Sequence, residues 1–65
     1  MRGTVVAFDD AAGLGEVTAD DGSTYAFHCT AIGDGTRTIE VGACVDFELE
    51  PRLGRYEASA LWSCT

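Results

Sequence analysis

Hydrophobic and polar residues alternate most regularly between Cys44 and Glu50, where Val45, Phe47 and Leu49 interleave with Asp46, Glu48 and Glu50. A period of two turns one set toward a core and the other toward water, which marks a half-buried strand. Pro51 is expected to close that strand, because proline has no N–H to donate to a ladder. Pro51-Arg52-Leu53-Gly54 then reads as a turn. A last strand runs from Arg55 to Leu61 or Trp62, with Tyr56, Ala58, Ala60 and Trp62 sharing one face.

The N-terminal half carries three more extended segments. Arg2 to Asp9 forms the first, although its apolar run from Val5 to Phe8 is continuous, so periodicity cannot assign its faces. Asp9-Asp10-Ala11-Ala12 turns the chain into Gly13–Thr18, where Gly15 and Val17 share one face and Leu14 and Glu16 the other. Glycines inside a strand mark a bend or the close approach of another group. Asp21-Gly22 predicts a type I′ hairpin turn, with positive φ at both residues. The chain returns along Tyr25-Ala26-Phe27-His28-Cys29, with Tyr25 and Phe27 inward and Ala26 and His28 outward. Thr30-Ala31-Ile32 reads as a brief helical turn anchored by Ile32, and Gly33–Arg37 as a glycine-rich loop.

Five short strands separated by glycine-bearing turns predict an all-β fold, a small five-stranded antiparallel barrel that removes exposed edges by closing. A two-sheet sandwich needs more strands than this chain supplies. One domain over residues 1–62, with 63–65 as a tail, accounts for the whole length.

Charge changes the functional picture. Eleven acidic residues face four arginines, with no lysine, for a net charge of −7. Phosphate binding draws on Lys and Arg, so this balance is opposite to that of a general nucleic-acid binder and reads first as solubility. Nothing near Met1 resembles a secretory or spanning segment, so a cytoplasmic protein without membrane contact is expected. The three cysteines (Cys29, Cys44, Cys64) are odd in number and lack metal-ligand spacing, which predicts free, partly buried thiols and no metal or other cofactor. His28 has only Cys29 beside it, and strand neighbours point to opposite faces. Gly13-Leu14-Gly15 lacks the third glycine of a dinucleotide site. No enzyme activity is expected.

Taken in order, the residues resemble the cold-shock protein family, single-domain OB-fold barrels. The resemblance runs through Gly3-Thr4-Val5 and Phe8, Gly13-x-Gly15 with Val17, and Asp21-Gly22. It continues in Phe27-His28-Cys29-Thr30-Ala31-Ile32, similar to the family's V-H-F-S-A-I, and in Arg37-Thr38-Ile39-Glu40-x-Gly42, similar to K-T-L-x-x-G. Val45-x-Phe47-x-Leu49 and Gly54 complete it. No single piece is specific; the ordered set is.

The resemblance implies an OB-fold and binding of single-stranded RNA or DNA on the outer face of the first three strands, where the family stacks bases on aromatic rings. Here Ala7, Leu14, Glu16, Ala26 and Cys29 stand where the family carries Trp or Phe, and Val6 and Ala12 replace lysines. Stacking a base on a ring is worth roughly 1–3 kcal/mol, so these replacements forfeit on the order of 5 kcal/mol at least. A micromolar complex rests on only about 8 kcal/mol. The resemblance therefore implies weak binding, with Phe8, Leu14, His28, Arg37 and Tyr56 as the remaining contacts. Each of these has a plainer reading: Phe8 as core, His28 as a surface histidine, Arg37 as a solvated loop charge. Tyr56 and Trp62 read as packing the barrel's end, with their polar tips in water. The alternative is a protein-interaction or self-associating module, because Ala7, Leu14, Ala26 and Cys29 would make a small apolar face.

Overall fold

The computed structural model describes residues 1–33 and 39–64. Five strands, β1 (Arg2–Asp9), β2 (Leu14–Ala19), β3 (Thr24–His28), β4 (Cys44–Arg52) and β5 (Arg55–Ser63), close into a barrel in the order β1-β2-β3-β5-β4. A short 3₁₀ turn, η1 (Cys29–Ala31), follows β3. Arg37 and most of the expected Gly33–Arg37 loop lie outside the described residues. The pairings are antiparallel except at the β3–β5 seam, which is parallel, with Ala26 opposite Glu57 and a further bridge from Ile32 to Leu61. That seam brings β5 alongside the outer face of β3.

The core takes its residues from every strand. Val5, Val17, Phe27, Val45 and Leu61 are fully enclosed, and Ala19, Cys29, Ile32, Phe47 and Ala58 complete the cluster. Each large apolar side chain so enclosed contributes roughly 1.5–3 kcal/mol relative to exposure. Tyr25 and Leu49 pack against this cluster from its margin, as the alternation in β3 and β4 implies.

Two bulges set the faces where periodicity could not. The β1–β2 register slips between Val5 and Ala7, so Val6 is the extra residue, Ala7 turns outward opposite Glu16, and Phe8 turns toward Phe27. In β5, the four residues from Ser59 to Trp62 lie opposite the three from Glu48 to Asp46, and Ala60 takes a positive φ of 52°. The expected shared face of Tyr56, Ala58, Ala60 and Trp62 is therefore broken. Ala58 and Leu61 point inward, while Tyr56 and Trp62 are more than half exposed. Trp62 does not plug the barrel; its indole lies over Gly33, where a Cβ would come within 2.4 Å of the ring.

The turns differ from expectation in an instructive way. Of Asp20, Asp21 and Gly22, only Gly22 takes a positive φ (91°), and Ala19 accepts from the Gly22 N–H at 2.9 Å while donating to Ser23 at 2.7 Å. This is a three-residue loop ending in a left-handed glycine, not a type I′ turn, and the Asp21 carboxylate secures it by accepting from the Ser23 N–H at 2.9 Å. The type I′ geometry occurs instead at Leu53-Gly54, where both φ values are positive (44° and 83°). Pro51 does not end β4, which continues to Arg52 and pairs Pro51 with Tyr56. A two-residue turn makes Arg52 and Arg55 the hydrogen-bonded pair, so the Pro51 nitrogen points away from β5 and no ladder bond is lost.

Cys44 and Cys64 are joined by a disulfide, with Cα atoms 5.6 Å apart, which corrects the expectation of three free thiols. The cause is register: Val45 pairs with Ser63, so the next residues out meet across the end of the β4–β5 ladder. Cys29 alone keeps a free thiol, and it is buried. No helix of the described residues is long and apolar enough to cross a membrane.

Candidate nucleic-acid interface

Cross-strand partners share a face, so the register fixes what the outer surface of β1, β2, β3 and β5 presents. One row across the four strands reads Ala7, Glu16, Ala26, Glu57. The next outward-facing row reads Asp9, Leu14, His28. Leu14 is 53% exposed, and His28 stands beside it in water. Between these rows, Phe8, Gly15 and Phe27 form an inward-facing row. Phe8 is half-buried and stacks on Phe27, with ring centroids 6.0 Å apart and planes inclined by 11°. Phe8 is thus both core margin and groove wall.

Together these residues border a groove of about 590 Å³, to which β5 adds Arg55 and Glu57. These two were missed in the sequence, because nothing short of the parallel seam places β5 next to β3. Arg55 Nη2 donates to Glu57 Oε2 at 3.2 Å. Asp9, Glu16 and Glu57 therefore set three carboxylates against the guanidinium of Arg55, and the groove is acidic.

Local geometry explains the polar positions. Asp9 Oδ1 accepts from the N–H groups of Ala11 and Ala12 at 3.0 and 3.2 Å, which shapes the β1–β2 turn. His28 caps η1: its Nδ1 accepts from the Thr30 N–H at 3.3 Å and lies 3.1 Å from Thr30 Oγ1. With Nδ1 occupied as an acceptor, the neutral ring carries its proton on Nε2. The ring is held in place without being covered.

Not all expected residues gather here. Tyr56 is exposed but does not border the groove. Cys29, expected on an outer apolar face with Ala7, Leu14 and Ala26, is a core residue: β3 ends at His28 and the chain turns inward into η1. The apolar face is correspondingly smaller and carries Glu16 at its centre. A second cavity of about 380 Å³ adjoins the first through His28 and Glu57, bordered by Trp62, Arg52 and Glu50. Among the described residues, no cluster of three or more His, Cys, Asp or Glu side chains could hold a metal ion.

Comparison with known proteins bears directly on this barrel. The profile of the 'Cold-shock' DNA-binding domain family matches residues 1–64. The chain belongs to the cold-shock domain family. Among curated proteins it resembles the cold shock-like protein CspA of Stigmatella aurantiaca (strain DW4/3-1), with 47% identity over 49 residues, covering 72% of each chain. Within this cold-shock domain, Ala7, Leu14, Glu16 and Ala26 stand on the outer face of the groove, and Cys29 lies in the core beneath it. Val6 and Ala12 are exposed.

Proposed function

We propose that this cold-shock domain binds single-stranded RNA or DNA weakly, through the groove that β1, β2, β3 and β5 form. The observation that carries this reading is the outer pair Leu14 and His28, set beside the exposed edge of Phe8. A fixed imidazole and an apolar platform accept the face of a base, and Arg55 at the rim offers the cation for a neighbouring phosphate. Stacking on one ring and meeting a phosphate with one guanidinium support far less affinity than a face of several rings and lysines. The salt dependence is correspondingly shallow, about −0.7 in log K per log salt for each phosphate neutralised on a single strand.

Titration of the isotope-labelled protein with short single-stranded oligonucleotides at low salt, followed by amide shifts, tests the reading. Shifts centred on Leu14, Ala26 and His28 are expected, saturating in the millimolar range. Shifts confined to residues remote from His28, or none at millimolar oligonucleotide, overturn it.

A further inference from the structure

We infer that Glu16 makes this groove selective for guanine over thymine and uracil; the inference rests on the reading that the groove takes single strands. Glu16 lies in the row Ala7, Glu16, Ala26, Glu57. Neighbouring strands are about 4.8 Å apart, so the two glutamates stand roughly 10 Å apart, with the Ala26 methyl as a floor between them. Glu57 is engaged by Arg55 at 3.2 Å, and Asp9 is engaged by the backbone of its own turn. Glu16 is exposed, and its carboxylate has no hydrogen bond or ion pair among the described residues. It is the groove carboxylate whose acceptors are unspent. Alanine on both sides leaves space for the edge of a base beside it.

A carboxylate only accepts hydrogen bonds, through two oxygens in one plane. An unpaired base exposes its Watson–Crick edge to such a group. Guanine presents N1–H and an N2–H side by side there, a planar fork that meets both oxygens as a guanidinium does. Thymine and uracil present one N3–H between two carbonyl oxygens, which repel the carboxylate. Cytosine and adenine offer one amine beside a ring-nitrogen acceptor. Guanine alone satisfies both oxygens.

Fluorescence anisotropy at low salt with a labelled all-thymine heptanucleotide, the same strand with a central guanine, and the same strand with inosine there tests this. Inosine keeps N1–H and lacks the N2 amine. The guanine strand is expected to bind about tenfold tighter than the thymine strand, within the range of a good bidentate base contact, with inosine in between. Glu16→Gln, at an exposed position, is expected to remove the preference while leaving the amide spectrum of the free protein intact elsewhere. Equal or tighter binding of the thymine strand overturns the assignment, as does a preference that survives Glu16→Gln. If no strand binds, the proposed function falls and this inference falls with it.

Discussion

Arg2 and Asp46 clasp the seam between β1 and β4: Nε donates to Oδ1 at 3.0 Å and Nη2 to Oδ2 at 3.3 Å. The pair sits at directly opposed positions in the ladder that closes the barrel. The hydrogen bond from Arg2 and its charge hold the Asp46 carboxyl below its ordinary value, and the same contact raises the Arg2 guanidinium. A carboxyl lowered in the folded state contributes stability above its unfolded pKa, and that contribution is lost as pH falls through the lowered value. Thermal melts from about pH 7 to about pH 3 should therefore show Asp46→Asn losing less stability on acidification than the parent, across and below the usual aspartate range near about 3.9. The difference should be small, because both side chains are about half exposed.

Gly15 is required by the ring beneath it. A Cβ there would lie 2.4 Å from Phe27 Cζ and 2.9 Å from the Ala7 carbonyl oxygen. Neither a fully buried ring nor a ladder carbonyl gives way cheaply. Gly15→Ala should cost about 1–3 kcal/mol in urea denaturation, and it should disturb the ring resonances of Phe8 along with those of Phe27.

The Cys44–Cys64 link spans 20 residues of sequence. Closing a loop of that length restricts the unfolded chain and adds about 3 kcal/mol in the chain-entropy treatment. For a chain of 65 residues that is a large share of the stability expected. Urea midpoints with and without a thiol reductant should differ accordingly, and Cys44→Ser should match the reduced protein in both conditions.

Adding rings tests whether the proposed weak binding comes from the small and acidic side chains in the groove. Ala7 and Glu16 are cross-strand partners on the outer face. Ala7→Trp and Glu16→Phe should each strengthen oligonucleotide binding by roughly 1–3 kcal/mol. Glu16→Phe should also abolish any preference for guanine. Affinity is read by anisotropy against the same strands; no gain from either ring would place the strand elsewhere on the protein.

The interior was legible because alternation survives in β3 and β4: Phe27, Val45 and Phe47 are buried as their spacing implies, and Ile32 anchors the turn after β3. Ordered motif pieces likewise led to the cold-shock family and its barrel. Periodicity could not assign Ala7 and Phe8 and failed at Ala60, because in each strand a bulge shifts the phase by one residue and the composition of the run carries no mark of it. Pro51 misled because a missing N–H matters only on the side where a partner strand lies. The disulfide and the entry of Arg55 and Glu57 into the groove depend on strands far apart in sequence coming to lie side by side. The outward placement of Leu14 and His28 was legible, since two residues on the outer face of adjacent strands follow directly from the hairpin they share.

The Cys44–Cys64 cross-link turns the β4–β5 hairpin into a covalent ring with β1, β2 and β3 as an open arm, so the chain has the topology of a lariat. Leu53 at the hairpin tip is fully exposed, which makes it the natural place for a protease to cut. One scission there opens the ring without releasing a fragment. The nicked molecule should migrate as a single species on a non-reducing gel and separate into two pieces only when the sulfur bridge is reduced.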